Sequence, residues 1–246
     1  MSSALLAALL APLVGSFGGV LVRRLPAGQP WIRARSACET CGRRLSPAEL
    51  VPLLSFAVLR GRCAGCRAPI ALFHPLMEAA SLAVVGLVLL ARPPEAAALW
   101  AGCGLGWCCL VLAATDWQCL RLPDGLTLPL LLAGLGVTGL LAPAALGDHA
   151  AASLLGWLFF AGLAWCYRHG RGVDGLGAGD AKLLAAGGAW LGTGGLPTMV
   201  LVAALATLAG LLAVGAARGR MPTAGTRVPF GPGLAAALFG CWLWQM

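Results

Sequence analysis

Long apolar runs separated by short polar stretches dominate the pattern of this chain. A helix that crosses a bilayer needs about 20 mostly apolar residues. Runs of that kind cover residues 4–22, 74–91, 96–115, 125–142, 149–167, 183–195, 196–217 and 232–246. They are continuous, whereas the strands of a membrane β-barrel alternate between apolar and polar positions. The pattern predicts an all-α fold, a polytopic membrane helical bundle of about eight transmembrane helices. The first run is interpreted as a retained helix and not as a signal peptide, because so many apolar runs follow it.

Residues 183–217 form either one long helix or two shorter ones, because the segment from Gly192 to Pro197 combines glycine and proline, which break helices. Charge decides between the alternatives. With eight spans, sixteen of the seventeen basic residues lie on one side and only Arg92 lies on the other. With seven spans, the arginines that follow residue 217 would change sides. The positive-inside rule therefore favours eight spans, with both termini outside the cytoplasm.

Composition narrows the class of protein. Of the 246 residues, 59% are apolar and only 11% are charged, whereas soluble domains carry about 25% charged residues. This excludes a disordered chain, a coiled coil, a disulfide-rich secreted module and an ordinary soluble enzyme. The net charge of +8 would suggest nucleic acid in a soluble protein, but in a membrane protein it indicates topology, so we expect no nucleic-acid partner.

One long polar stretch runs from Arg23 to Phe73, and its charge places it in the cytoplasm. It carries nine arginines against two acidic residues, Glu39 and Glu49. Such a segment is typical of contact with the anionic headgroups of the lipid bilayer. The predicted organisation is a first transmembrane helix over 1–22, a cytoplasmic loop domain over 23–73 and a helical bundle over 74–246.

Two Cys-x-x-Cys pairs lie in this loop, Cys38 with Cys41 and Cys63 with Cys66. Four thiolates in two such pairs complete the tetrahedral shell of a structural zinc ion. A loop of this size has too small a core to fold alone, so a metal would stabilise it. A disulfide is disfavoured in the reducing cytoplasm, and redox-active or metal-free thiols are the alternative. Glycines 42 and 65 suit the tight turns of the two knuckles.

The other six cysteines lie in or beside apolar runs and are interpreted as small apolar side chains of the core. They are Cys103, Cys108, Cys109, Cys119, Cys166 and Cys241.

Six of the nine carboxylates have simple interpretations. Glu39, Glu49, Glu95 and Asp148 fall in loops and are expected to be solvated, and Asp174 is expected in a glycine-rich turn. Glu78 stands near the start of the second span, where it would pair with an Arg or line the interior of the bundle.

The remaining carboxylates, Asp116, Asp124 and Asp180, fall at one cytoplasmic face by the charge argument. Asp124 follows Pro123 at the start of the fourth span and is either an N-cap or part of a site. Asp116 and Asp180 suggest a pair that shares one proton, in which one carboxylate activates water and the other polarises a carbonyl. An aspartate dyad for peptide hydrolysis needs such a pair.

Motifs for other chemistry are missing from the sequence. The three histidines are scattered over both faces, and no zinc-protease, Walker A or dinucleotide motif occurs.

Glycines around Asp180 would let a substrate strand approach the backbone closely. Four residues are therefore predicted to surround the substrate beside the two aspartates: Gly177, Gly179 and Lys182 around Asp180, and Asp124 at the start of the fourth span.

The motifs together resemble the type IV prepilin peptidases, GxGD membrane aspartyl proteases of type IV pilus and type II secretion systems. The resemblance covers almost the whole chain. It rests on Gly15-Ser16-Phe17, Arg24-Leu25-Pro26, the two Cys-x-x-Cys pairs with Pro52–Ser55 and Arg60–Cys63, Pro75–Glu78, Asp116 with Leu122-Pro123-Asp124, Gly177–Leu183 and Pro229–Pro232.

This resemblance implies an aspartic endopeptidase whose catalytic pair is Asp116 and Asp180, with Cys38, Cys41, Cys63 and Cys66 as zinc ligands. The enzyme would lie in the bacterial inner membrane and cleave the basic leader of prepilins and pseudopilins after a Gly, at the cytoplasmic face. Members of the long form also methylate the new N-terminus with S-adenosylmethionine, and that activity follows from the resemblance alone.

Two other functions fit parts of the sequence. An ion-coupled transporter or channel would use the membrane Asp residues to bind cations, but it would not need the paired cysteines. A membrane-anchored zinc or redox sensor would use the cysteines, and its Asp residues would then be dispensable.

Overall fold

The computed structural model describes residues 2–32, 35–91, 93, 95–172, 177–219 and 228–246. Arg33, Arg92, Asp174, Arg220 and Arg227, which fall in predicted loops, lie outside the described residues. The described chain forms α1 (Ser3–Arg24), α2 (Leu54–Val58), α3 (Phe73–Leu90), α4 (Ala96–Cys119), α5 (Asp124–Leu141), α6 (Leu146–Arg171), α7 (Ala178–Arg218) and α8 (Gly231–Gln245).

The predicted all-α class is confirmed. Within the described ranges, only two isolated β-bridges occur, both in the loop between α1 and α3. Among the described residues, six helices are long and apolar enough to cross a membrane, namely α1, α3, α4, α5, α6 and α7. At fifteen residues, α8 is the shortest of the helices that correspond to predicted spans.

The chain divides into two compact units, Met1–Trp107 and Cys108–Met246. In the first unit, α1 packs against α3 at small residues. The Ser81 hydroxyl donates to the Ala11 carbonyl of α1, and the Trp107 indole N–H donates to the Ser81 carbonyl at 3.0 Å. A Cβ on Gly15 would lie 2.5 Å from the Met77 carbonyl oxygen, so glycine is required for the two helices to approach this closely.

In the second unit, α7 reverses its direction at Gly192. Its 41 residues would span about 60 Å if straight, yet a Cβ on Gly187 would meet the methyl carbon of Met199, twelve positions later, at 2.9 Å. In a straight helix these residues would lie about 18 Å apart. Gly192 has φ 68° and ψ −177°, which is a conformation open to glycine. The predicted break between the segments 183–195 and 196–217 is confirmed. Both segments belong to α7, which folds back at Gly192, and each of the other six predicted segments corresponds to one helix.

The first half of α7 lies at the centre of this unit. The Ser153 hydroxyl of α6 donates to the Ala185 carbonyl at 2.8 Å, and the Trp190 indole N–H donates to the Leu130 carbonyl of α5 at 2.9 Å. The Trp242 ring of α8 packs edge-on against Trp190, with ring centroids 5.8 Å apart. These contacts fix the start of α7 relative to the three neighbouring helices.

Asp148 lies at the opposite end of the second unit from the start of α7. Its carboxylate accepts the Thr193 backbone N–H at 3.0 Å and the Thr193 hydroxyl at 2.5 Å. Asp148 is exposed, as predicted. It also caps the second half of α7, which its position in a sequence loop did not reveal.

Candidate functional site

Asp116 is a buried carboxylate near the C-terminal end of α4, with only 6% of the residue exposed. Its Oδ2 accepts the backbone N–H of Gly231 at 2.9 Å. Gly231 is the first residue of α8, where backbone N–H groups have no partner within the helix. A Cβ at this position would lie 2.7 Å from Oδ2 and 2.8 Å from Cγ of Asp116. Glycine is therefore the residue that lets α8 deliver its N–H to this carboxylate.

Asp180 is half-buried in the first turn of α7, and its backbone N–H donates to the Gly177 carbonyl at 3.1 Å. Leu122, three positions after the end of α4, contacts the position of Gly179, so the end of α4 that carries Asp116 lies close to the start of α7 that carries Asp180. A Cβ on Gly177 would lie 3.1 Å from the Asp180 carboxylate, and a Cβ on Gly179 would lie 2.8 Å from the Leu122 Cβ. Both glycines keep the backbone close to neighbouring groups, and Gly177 leaves the approach to Asp180 open.

Asp124 and Lys182 form an ion pair beside these carboxylates. The Lys182 ammonium donates to Asp124 Oδ1 at 2.5 Å, and the two side chains are 33% and 58% exposed. Pro123 is the N-cap of α5 and Asp124 is the first residue of the helix, so the interpretation of Asp124 as an N-cap is wrong by one position. The pair joins the first turn of α5 to the first turns of α7.

The four loop cysteines converge in the first unit. Their Sγ atoms all lie within 4.8 Å of one another, and Cys38 Sγ lies 3.9 Å from Cys66 Sγ. With metal–sulfur bonds of about 2.3 Å, a tetrahedral zinc site has sulfur atoms about 3.8 Å apart. The described residues contain no other such cluster of His, Cys, Asp and Glu. The donor set therefore fits a closed four-sulfur metal site.

The two Cys-x-x-Cys segments have the same backbone geometry. In the first, the Cys38 N–H donates to the Arg43 carbonyl at 2.9 Å, and in the second the Cys63 N–H donates to the Ala68 carbonyl at 2.9 Å. The residues that close the two turns, Gly42 and Arg67, have φ of 70° and 61°. The prediction for Gly42 is confirmed. Gly65 also lies in the turn of its knuckle, where its N–H donates to Cys63 Sγ at 3.4 Å. The residue with positive φ there is Arg67, and a Cβ on Gly65 would lie 2.9 Å from Arg43 Nε.

Backbone donors favour the ionised form of one thiol in this loop. The N–H groups of Cys66 and Gly65 lower the pKa of the Cys63 thiol to about 6, which favours the thiolate that a metal needs. The Arg43 guanidinium, helped by Ser46, lowers the pKa of Glu49 to about 2. The sequence analysis expected Glu49 to be solvated, but in the structure it is paired with Arg43. Glu39 is likewise paired, with Arg23.

Both halves of the chain match models of known families. Residues 9–92 match the model described as the bacterial peptidase A24 N-terminal domain, and residues 103–213 match that of the type IV leader peptidase family. A relative from Burkholderia pseudomallei is 42% identical over 250 residues, which cover 91% of this chain and 80% of the relative. The chain belongs to the type IV leader peptidase family.

Other members of this family are similar along most of their length. A relative from Aeromonas hydrophila is 38% identical and covers 85% of this chain and 71% of its own. One from Pseudomonas aeruginosa is 34% identical and covers 96% of this chain and 88% of its own. All three relatives are named prepilin leader peptidase/N-methyltransferase. No solved structure is significantly similar to the chain.

The structure also places residues that sequence reasoning did not assign to a site. Gly231 lies in a segment noted for its resemblance to the family, but its contact with Asp116, 115 positions away, has no signal in the sequence. Glu78 is 7% exposed, as expected for a residue lining the interior. Its described partner is the Leu53 backbone N–H at 2.8 Å and not an arginine.

Proposed function

We propose that this chain is a prepilin leader peptidase of the bacterial inner membrane whose catalytic pair is Asp116 and Asp180. The family is that of leader peptidases, and the chain is a multi-pass membrane protein. The assignment is supported by the position of these two carboxylates near the end of α4 and the start of α7, segments that the contact of Gly179 with Leu122 brings close together. The substrate would be a prepilin or pseudopilin, cut after a Gly at the cytoplasmic face.

The proposed reaction is direct attack of water on the scissile carbonyl. One carboxylate takes a proton from water as the water oxygen bonds to the carbonyl carbon, while the other, protonated, donates its proton to the carbonyl oxygen. The first carboxyl group then gives the proton it took from water to the amine nitrogen as the C–N bond breaks, and the second carboxylate takes a proton back from a hydroxyl group of the intermediate. No covalent enzyme intermediate forms. Hydrolysis needs no ion or cofactor in this scheme.

The surrounding residues position the two acids. The Gly231 N–H holds one oxygen of Asp116, and the other oxygen of that carboxylate would act on water. Gly177 and Gly179 would let the substrate backbone approach Asp180. The ion pair of Lys182 with Asp124 would keep the starts of α5 and α7 together while the substrate binds. The substrate's apolar helix would enter from the lipid, with its polar leader in the cytoplasm.

The four-cysteine cluster would hold a structural zinc ion. Cys38, Cys41, Cys63 and Cys66 would be its ligands, and four sulfur ligands leave no open position for catalysis. The ion would supply folding free energy to the loop between α1 and α3.

N-methylation of the new N-terminus, with S-adenosylmethionine as methyl donor, is a second activity to test. It is supported by the names of the relatives. A mass measurement on the cleaved product tests it, since the product should gain one methyl group only when S-adenosylmethionine is added.

A cleavage assay with a prepilin in liposomes tests the main proposal. Asp116→Asn and Asp180→Asn keep the shape and hydrogen-bond capacity of the side chain but remove its acid–base chemistry. Each should lower the rate at least about 10²–10⁴-fold. Glu95→Gln is the control, because Glu95 is an exposed carboxylate of the first unit, and it should retain wild-type activity.

The outcomes separate the alternatives. Near-normal turnover of either Asn variant would show that the dyad is wrongly assigned. Loss of activity in Asp124→Asn with full activity in Asp116→Asn would move the first catalytic acid to position 124.

A further inference from the structure

The loop of the first unit exposes large apolar side chains close to arginines. Leu50 ends a 3₁₀ turn over Pro47–Leu50, Val51 follows it, and Leu54 and Val58 lie on α2. The exposed fractions are 45% for Leu50, 42% for Val51, 61% for Leu54 and 71% for Val58. Leu54 and Val58 are one helical turn apart and therefore share a face of α2. These four residues are called the loop patch below. Single exposed apolar residues are ordinary, but four within nine positions indicate a surface that something covers.

Glu78 fixes the depth of this patch. Its carboxylate accepts the Leu53 N–H at 2.8 Å, so the turn that leads into α2 lies against α3. Glu78 is five positions after the first residue of α3, which is about 7.5 Å along the helix axis. The 18 residues of α3 span about 27 Å, close to the thickness of the hydrocarbon core. The start of α2 therefore lies at the membrane edge and not out in the cytoplasm.

The backbone at Leu53 is held in an unfavourable conformation by this contact. Leu53 has φ 59° and ψ −47°, and the Leu54 N–H donates to the Pro52 carbonyl at 2.6 Å. A three-residue turn of this kind is rare and costs free energy for a residue other than glycine. A carboxylate at this depth in turn requires a donor. The bond between Glu78 and Leu53 satisfies the acid and draws the turn towards the membrane.

Charge identifies what covers the loop patch. Arg44, Arg60, Arg62 and Arg67 are all exposed on the same loop, while its two acidic residues, Glu39 and Glu49, already pair with Arg23 and Arg43. The loop therefore presents uncompensated positive charge beside apolar side chains at the membrane edge. That combination is the signature of an interfacial element on anionic lipid.

We propose that residues 50–62 form such an element, in which Leu54 and Val58 enter the acyl boundary and Arg60 and Arg62 bind anionic phospholipid headgroups. Glu78 is the residue that holds it there. The element would fix the metal-binding loop to the bilayer surface, independently of the chemistry at Asp116 and Asp180.

Depth measurement in liposomes tests the proposal. The full-length protein would carry an environment-sensitive fluorescent amino acid at position 58 or, as a control, at Ala64, which is exposed in the second Cys-x-x-Cys segment. Lipids brominated on their acyl chains should quench most of the emission at position 58 and little at position 64. Equal, weak quenching at both positions would overturn the proposal. So would a probe at 58 that is shielded from water but unquenched by lipid, because a protein would then cover the patch.

Two further comparisons test the tether and the charges. Glu78→Gln retains an acceptor for the Leu53 N–H and should retain quenching at position 58, whereas Glu78→Leu should lose it. Retained quenching in Glu78→Leu would remove Glu78 from the proposal. Quenching should also rise as anionic phosphatidylglycerol replaces phosphatidylcholine, and this rise should be lost in the double variant Arg60→Gln, Arg62→Gln. The same quenching in both lipids would overturn the headgroup contact.

Discussion

The metal cluster of the first unit and the carboxylate site of the second are assembled from different kinds of sequence relationship. All four thiolates come from one loop, with the outermost two 28 positions apart, and short backbone hydrogen bonds hold each pair. The carboxylates come from α4 and α7, and the backbone donor to Asp116 comes from α8, 115 positions away. The first site depends on local turns and on the ion it would bind. The second depends on how closely several helices approach.

This difference predicts opposite sensitivities. A cluster built from local turns should fail when its ion is removed, while the helices outside its unit stay folded. A site built from packed helices should fail when one methyl group is added at a point of close approach, while the protein stays folded.

Removal of the metal should have the largest effect. Chelation, or Cys41→Ser, should abolish the protection of residues 36–70 against hydrogen exchange, because binding of structural zinc contributes about 10–16 kcal/mol in zinc-finger peptides. Peptides from α5 and α6 should keep their protection. Cys119→Ser is the control, since Cys119 is also exposed but lies outside the cluster. Unchanged protection of the loop after verified loss of metal would show that the cluster does not stabilise it.

Addition of one methyl group at Gly231 should have the next largest effect. In Gly231→Ala the new Cβ would press on the Asp116 carboxylate, and a misplacement of about 1 Å at a reacting group can cost 10²-fold in rate. We expect prepilin cleavage to fall about 10²-fold in kcat, with little change in KM or in thermal unfolding.

Two other glycines of α8 serve as matched controls. A Cβ on Gly240 meets nothing within 4 Å, so Gly240→Ala should be silent. A Cβ on Gly233 would lie 2.8 Å from the Ala203 carbonyl oxygen, so Gly233→Ala should lower the unfolding temperature more than Gly231→Ala does. If Gly231→Ala lost activity only in proportion to lost stability, its contact with Asp116 would have no special role in catalysis.

The two sites also differ in how far the sequence could predict them. The spacing of the cysteines was sufficient to identify their cluster, because both ligand pairs sit on turns whose geometry is set by adjacent residues. The reversal at Gly192 was predicted from the positive-inside rule, because charge records which side of the membrane a loop occupies. The same argument predicted that Asp116 and Asp180 lie at one face of the membrane.

Contacts that depend on side-chain packing could not be predicted. Nothing in the sequence pairs Lys182 with Asp124, Glu78 with Leu53 or Gly231 with Asp116. Gly65 shows the same limit on a local scale. Its place in the second Cys-x-x-Cys segment suggested a tight turn, but nothing in the sequence indicated that the Arg43 side chain of the first segment packs against it.

Loss of the ion pair between Lys182 and Asp124 should have a smaller effect than the change at Gly231. Exposed pairs contribute about 0.2–1 kcal/mol, so Lys182→Met should lower cleavage by no more than about fivefold. The double variant Asp124→Lys, Lys182→Asp should recover part of that loss, because it restores the pair with reversed charges. A double variant that is worse than both single variants would indicate that one of these residues contacts the substrate directly.

The smallest expected effect is that of Glu49→Gln on hydrogen exchange in the metal-binding loop. The effect is informative because it should depend on pH. The pKa of Glu49 is lowered to about 2 by Arg43 and Ser46, below the value near 4.3 of an unfolded chain. The pair therefore stabilises the folded loop above about pH 4.5, and this contribution is lost as the pH falls from there towards 2.

Hydrogen exchange of residues 43–50 should be slightly faster in Glu49→Gln than in wild type at pH 7 and at pH 5, with the difference shrinking below about pH 4.5. Protonation of the cysteines also weakens the loop in acid, but it acts on both proteins alike, so the difference between them isolates the ion pair. A difference that grew with acidity would mean that Glu49 acts through the metal cluster and not through Arg43.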